Sequence, residues 1–341
     1  GGEEREVTIL MSDLRGFTAL AARLSPHEVI DFLNIYLESM VEVISRYQGT
    51  IDEIIGDAIL VIFGAPIACA NHAERAVACA LDMQLAMRGV NERLTARGAT
   101  GLEMGIGVHS GPVIVGNIGS VRRTKYAAVG SNVNMAGRIE SFTTGGQILI
   151  SESTRGLIQV PLRIDAQYQV EPKGATGKVE LHEVGGIGEP FSLALPQKRI
   201  SLQALPQPCP LHFTVLEEKF VGRTVHQGRL AAVSEGEADI ETESALSPLS
   251  NLKLVVEIPG TAAVGEIYGK VAGAPKDSAG RTRIRFTSVS PDIAAWIRGL
   301  TAPPGATNKP PQTEPGPAPE RPAVEAGTSA GQLQRPEDVT L

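Results

Sequence analysis

Thr50-Ile51-Asp52-Glu53-Ile54-Ile55-Gly56-Asp57-Ala58-Ile59-Leu60-Val61-Ile62-Phe63 reads as two β-like runs, Thr50 to Ile55 and Ala58 to Phe63, divided by Gly56-Asp57. Two residues are the loop length of a tight hairpin, so Asp57 is expected at a turn between hydrophobic strands. Upstream, Val7 to Met11 reads as a buried strand running into Ser12-Asp13-Leu14-Arg15-Gly16. A second carboxylate, Asp13, therefore stands at a strand end. Between the two lies Ser25-Pro26-His27-Glu28, with Ser at an N-cap, Pro at the first helical position and Glu completing a capping box. The apolar positions Val29, Phe32, Leu33, Tyr36, Met40 and Val43 then keep helical spacing until Gly49.

Beyond the hairpin, the spacing predicts a long amphipathic helix over 68–97, strands over 102–108 and 112–117, and a helix over 132–141. Strands follow over 147–150, 163–170 and 179–184. Strands and helices in β-α-β-β-α-β order predict an α/β (α+β) sandwich with a ferredoxin-like core for residues 1–187. Gly185-Gly186-Ile187-Gly188-Glu189-Pro190 and the prolines that follow predict a linker over 188–210. Short alternating strands closing on a helix predict a small β domain over 211–300, and a Pro-rich tail over 301–341 is expected to be disordered.

Composition narrows the function classes. The net charge of −7 and the absence of a Lys/Arg stripe argue against a nucleic-acid partner. Cys69, Cys79 and Cys209 have no C-x-x-C spacing and are odd in number, which argues against a disulfide framework or a structural zinc and for a reducing, cytoplasmic setting. No apolar run is long enough for a membrane span. The chain lacks an initiator Met, so it is expected to be a fragment, with room for a membrane tether or sensor in an upstream region.

Alone, Asp13 and Asp57 could each be a turn-capping residue. Their surroundings argue for more, because Gly16-Phe17-Thr18 offers a Gly-permitted turn and a hydroxyl before a helix, suited to phosphate oxygens. Asn134 and Arg138 share one helix face at i,i+4. Gly105-Ile106-Gly107 lacks the third glycine of a dinucleotide-binding loop and reads as a strand, and His109 as structural.

Four stretches, Asp13-Leu14-Arg15-Gly16-Phe17-Thr18, Glu53-Ile54-Ile55-Gly56-Asp57-Ala58, Gly105-Ile106-Gly107-Val108-His109-Ser110-Gly111 and Val133-Asn134-Met135-Ala136-Gly137-Arg138, resemble in order and spacing the class III adenylyl and guanylyl cyclases. The resemblance covers roughly residues 5–185. It implies a homodimer with composite sites that converts GTP or ATP to the 3′,5′-cyclic monophosphate. It also implies two Mg²⁺ or Mn²⁺ ions per site on Asp13 and Asp57, with the Leu14 carbonyl assisting. Asn134 would orient the ribose and Arg138 offset charge on the α-phosphate. Gly16, Phe17, Thr18 and Lys173 would bind phosphates, with Lys178 a close rival to Lys173. Glu53 and Ala127 occupy the base-reading positions. A buried Glu53 accepts from guanine and sets acceptor against adenine N1, whereas Ala127 abstains, so GTP is modestly favoured over ATP.

Two rivals stand beside this reading: a catalytically inactive nucleotide-binding dimerisation module, and a diguanylate cyclase. The second would need a Gly-Gly-Asp/Glu-Glu-Phe hairpin where this sequence has Ile-Gly-Asp-Ala. The later stretches Gly228 to Ala238 and Arg283-Ile284-Arg285-Phe286-Thr287 resemble the PilZ family of small β-barrels. Ala232 and Glu237 depart from that family's ligand motif, which argues against cyclic di-GMP binding and for a regulatory or oligomerising domain.

Overall fold

Three strands organise the N-terminal sheet. In the computed structural model, which describes residues 2–99, 101–120, 122–171, 177–197, 201–217, 220–221, 224–261, 264–273 and 280–301, β1 (Glu3–Arg15) lies between β3 (Ala58–Phe63) and β4 (Glu103–Ser120). It runs antiparallel to both. β2 (Thr50–Ile55) pairs with β3 through the expected hairpin, whose Gly56 takes φ 64°, a turn geometry that glycine adopts without Cβ strain. The strand order β2-β3-β1-β4, with α2 (Pro26–Arg46) and α3 (His72–Thr95) as crossovers, is the ferredoxin-like core. β6 (Ile148–Ser151), β8 (Val179–Ile187) and β7 (Leu162–Val170) extend it beyond β4.

β3 is hydrophobic at every position because both of its faces are covered. Ile59, Val61 and Phe63 pack with residues of α2 and α3, whereas Leu60 and Ile62 pack on the other face with Val7, Ile9, Val113, Val115 and Ala136. Ala136 belongs to α4 (Ser131–Phe142), which lies against β4 and β1. α2 begins with the predicted capping box, Ser25 N–H donating to Glu28 Oε2 at 2.8 Å.

Three local features differ from expectation. The strands expected at 102–108 and 112–117 are one 18-residue strand, β4. Pro112 lies within it, exposed, and its carbonyl accepts from Asn132 Nδ2 at 2.7 Å. The far half of β4 pairs with β5 (Arg123–Val129), whose polar start hides its strand character, and α5 (Glu152–Leu157) is too short for a periodicity to register. α1 (Phe17–Ala21) is a single short turn of helix after β1.

The chain then builds a second sheet: β10 (Gln203–Glu217), β11 (Phe220–Val221), β12 (His226–Val233), β13 (Glu237–Glu241), β14 (Asn251–Glu257), β15 (Val264–Gly273) and β16 (Arg281–Val289). Six of these, in the order β10-β12-β13-β16-β15-β14, close into a barrel by β10–β14 pairing. Leu211, Phe213, Leu230, Ile240, Leu254, Ile267 and Ile284 fill it, and α6 (Pro291–Thr301) adds Ile293 and Ile297. Within 188–210, the described residues include strand. β9 (Leu193–Ala194) pairs back onto β8, and β10 starts at Gln203, with a bulge between Ala204 and Cys209 absorbing the prolines that cannot donate to a ladder. Both sheets belong to one packed unit spanning Gly1–Thr301. Of the tail expected to be disordered, 301–341, Thr301 ends α6 and 302–341 lie outside the described residues. Among the described residues, no helix is long and apolar enough to cross a membrane.

Candidate active site

Asp13 comes from the end of β1 and Asp57 from the β2–β3 turn, and the two carboxylates act on each other. Burial, and then the negative charge of Asp13, push the Asp57 carboxyl up to about 6, against N–H donation from its own backbone and from Leu14. Leu14, expected to lend its carbonyl, thus also presents its N–H to Asp57. A self-repelling carboxylate pair is a hard-oxygen cradle that a divalent cation relieves, so the residues fit the metals implied by the sequence.

The turn after Asp13 carries the expected phosphate-binding stretch. Gly16 adopts φ 76° and starts α1, where Phe17 is buried and Thr18 is exposed. The same strand end supplies a residue with a role the sequence did not reveal. Arg15 donates to Asp13 at 3.2 Å, to the Thr143 hydroxyl at 2.5 Å and to the Glu140 carbonyl at 3.1 Å, and it also pairs with the Glu140 carboxylate. Gly105 makes room for this guanidinium: a Cβ there would lie 2.3 Å from Arg15 Nη2 and 2.0 Å from Thr143 Oγ1. Gly107 does the same for α4, since its Cβ would meet the Glu140 backbone nitrogen at 2.2 Å. The glycines at 105 and 107 therefore set the close approach of α4 to β4.

Glu140 is nine-tenths buried, and burial pushes its carboxyl up while Arg15 holds it down. Tyr36, fully buried, has its phenol pushed up chiefly by burial, with the Asp57, Asp13 and Glu140 charges adding to it, so it stays neutral near the carboxylates. Neither residue carried a sequence signal beyond helical spacing.

Asn134 and Arg138 project the other way. α4 buries Ala136, Ile139 and Glu140, and at about 100° per residue positions 134 and 138 fall on the opposite face. Asn134 is exposed and Arg138 half-buried. Among the described residues, neither side chain has a hydrogen-bond or ion-pair partner. Asp13 and Asp57 are thus brought together, while the Asn134/Arg138 pair faces away from them within one chain.

Glu53 follows a bulge in β2 that shifts the register between Ile51 and Glu53. Its side chain is 50% exposed and lies 3.5 Å from Lys125 Nζ, so it is not the buried carboxylate that was expected. Ala127 is buried on β5. Lys173 lies outside the described residues, and Lys178 is exposed beside β8. His109 is structural as expected, its ring nitrogens 2.8 Å from Ser151 Oγ and 3.0 Å from Asn132 Oδ1. Away from these residues, Glu152, Glu180 and His182 bring three ligand atoms within 4.8 Å of one another.

Residues 2–186 match the family model described as the adenylate and guanylate cyclase catalytic domain, more than half of the chain. The chain belongs to this family. Its cyclase domain is 37% identical over 190 residues to an adenylate cyclase of Anabaena cylindrica, covering 53% of this chain and 37% of that protein. It is 30% identical over 185 residues to adenylate cyclase 1 of Rhizobium meliloti, covering 54% of this chain and 28% of that one. The chain thus spans well under half the length of these relatives. Among solved structures, the guanylyl cyclase Cya2 is 51% identical, with TM-score 0.57 over 57% of this chain and all of that one. The adenylyl cyclase CyaB from P. aeruginosa is 32% identical, with TM-score 0.52 over 59% of this chain and all of that one. The domain is therefore a class III nucleotidyl cyclase domain, a family that uses divalent metals.

Proposed function

We propose that this chain closes a nucleoside triphosphate, GTP in preference to ATP, into its 3′,5′-cyclic monophosphate with loss of pyrophosphate, for cyclic-nucleotide signalling. The observation that carries the reading is the convergence of Asp13 and Asp57, whose mutual repulsion makes an anionic cradle in a domain of this family. Two Mg²⁺ or Mn²⁺ ions held by Asp13, Asp57 and the Leu14 backbone would supply Lewis-acid charge to the 3′-hydroxyl and the triphosphate. The ribose 3′-oxygen bonds to the α-phosphorus as the bond to pyrophosphate breaks, and the hydroxyl proton is lost. Asn134 orients the ribose, and Arg138 offsets charge on the α-phosphate with its planar donors. Gly16, Phe17, Thr18 and Lys173 hold the phosphates.

The site is composite on this reading. Asn134 and Arg138 point away from the carboxylates of their own chain, so a second copy supplies them by two-fold exchange. The exposed apolar residues Ile54 and Ile55 near the hairpin turn and Ile114, Ile118 and Val129 on the β4–β5 arm fit such a contact.

Glu53 supports GTP, and so does the 51% identity to the guanylyl cyclase Cya2. Lys125, 3.5 Å from Glu53, favours a second reading: a cation that offsets the carboxylate lets ATP compete. We read the barrel as a regulatory domain. Ala232 and Glu237 depart from the PilZ ligand motif, and Glu237 is a buried carboxylate paired with Arg285 at 2.9 Å, which counts against cyclic di-GMP as a ligand. Mass-spectrometric product identification from ATP and from GTP with Mn²⁺ tests the whole reading. Cyclic product from neither would overturn it in favour of an inactive module.

A further inference from the structure

The barrel touches the cyclase domain at the helix that carries Asn134 and Arg138. Lys270, on β15, is 6% exposed, and its ammonium donates to the carbonyls of Ser141 and of Thr143, the latter at 3.0 Å. These carbonyls belong to the last turn and C-cap of α4, where a helix leaves acceptors unpaired and its dipole favours a cation. A capping donor usually comes from the helix itself, but here it crosses from another domain. Arg285, opposite Lys270 across the β15–β16 pair, reaches Glu183 of β8 at 3.4 Å. Glu183 in turn accepts from Tyr168 at 2.8 Å and Gln147 at 2.7 Å.

An apolar contact completes the docking. Leu249, between β13 and β14, is 3% exposed among Ile139, Leu149, Tyr168 and Leu181, with Phe142 and Met135 of α4 packed around them. Its φ of 62° is costly for a branched side chain, of order 1–3 kcal/mol, and such a conformation persists only where surrounding contacts hold it. The Leu249 N–H donates to Val271 O at 2.7 Å, which ties this plug to the strand that carries Lys270.

On the other side of the same turn stands Arg15. It donates to the Thr143 hydroxyl and to Asp13, so Lys270, Thr143, Arg15 and Asp13 form one continuous chain of polar contacts. We propose that Lys270 is a positioning residue for cyclisation: through the end of α4 it lets the barrel set both the Asn134/Arg138 helix and the Arg15–Asp13 pair. A signal that shifts β15 then acts on both halves of the chemistry at once. The inference rests on the catalytic reading of Asp13, Asn134 and Arg138, and its physical part stands apart from activity.

The test uses the full chain. Lys270→Met is compared with Lys270→Arg and with Lys253→Met, a barrel variant whose Glu266 partner is on the barrel. Hydrogen–deuterium exchange over residues 138–144 reports the helix end, and steady-state kinetics report the chemistry. Lys270→Met is expected to speed exchange there and lower kcat about five- to tenfold with KM within about twofold. Lys270→Arg should recover most of both, and Lys253→Met should match the parent. If Lys270→Met does not fold, Lys270→Gln, which keeps one donor, carries the test with intermediate values. Unchanged exchange with unchanged kcat overturns the proposal. Faster exchange in Lys270→Met, together with a parent chain that makes no cyclic product, leaves the docking intact and overturns the catalytic reading instead.

Discussion

Arg15 donates to Asp13 at 3.2 Å from two residues away on β1, so the carboxylate carries its own counter-charge on the same strand face. Among the described residues Asp57 has no ion-pair partner, and burial, followed by the Asp13 charge, raises its carboxyl to about 6. The pair is unequal before any cation arrives, yet the proposed two-metal reading requires both members. Asp13→Ala or Asp57→Ala should lower turnover by about a hundredfold or more with the fold intact, because neither can be replaced as an oxygen ligand. Normal activity in either folded variant would remove the two-metal assignment.

The opposed faces of α4 predict complementation. Asp57→Ala and Arg138→Ala should each be inactive alone, and an equal mixture should regain up to about a quarter of parental activity. Half of the dimers are then mixed, and each holds one intact site of two. A mixture that stays inactive after subunit exchange has been demonstrated rules out the shared site.

For base choice, GTP should exceed ATP in kcat/KM by about tenfold to a hundredfold, the worth of an unmatched polar group of about 1–3 kcal/mol. The half-exposed, Lys125-paired state of Glu53 places the expectation at the lower end. Glu53→Lys combined with Ala127→Asp should shift preference toward ATP. Equal or higher kcat/KM for ATP in the parent shows that Glu53 does not read the base.

Gly107→Ala should destabilise the fold by about 1–3 kcal/mol, since the new methyl meets backbone atoms of Glu140, which cannot rotate away. Chemical denaturation measures this. An unchanged midpoint would mean that α4 is not pressed on β4.

Lys270 predicts a pH dependence of stability. Burial, aided by the Arg15 charge and opposed by Glu140, lowers its ammonium from 10.5 to about 7, with Arg285 opposite it on β16. Between these values the unfolded chain holds the extra proton, so this group makes stability rise with pH through that window, by at most about 1.4 kcal/mol per pH unit. Below the window both states are protonated and its contribution no longer changes. Lys270→Met should flatten this rise relative to the parent in urea titrations from pH 7 to 9.5. Parallel curves would show that the group is not buried as described.

The ferredoxin-like core was legible because each element announces itself locally: Gly56-Asp57 as a hairpin loop, Ser25 to Glu28 as a cap, and β3 as an unbroken apolar run. The Asp pair was legible for the same reason, as carboxylates at the ends of hydrophobic strands. The roles of Arg15 and Glu140 were not, because they depend on a contact across 125 residues that no local pattern encodes. Gly105 and Gly107 were visible as glycines, but their purpose needs the position of α4. The exposure of Glu53 follows from a bulge at Asp52 that alternation cannot reveal. The proline-rich start of β10 suggested a linker for a sound reason, missing donors, which the bulge accommodates.

The contact between Lys270 and the Ser141 carbonyl spans 129 residues, and the barrel that holds Lys270 closes only when β16, ending at Val289, is in place. During synthesis α4 therefore leaves the ribosome well ahead of its cap, and the cyclase half meets solvent with that helix end open. A frameshift or nonsense change late in the barrel is then more than a loss of a peripheral module, for it leaves every upstream residue intact and the helix end unsupported.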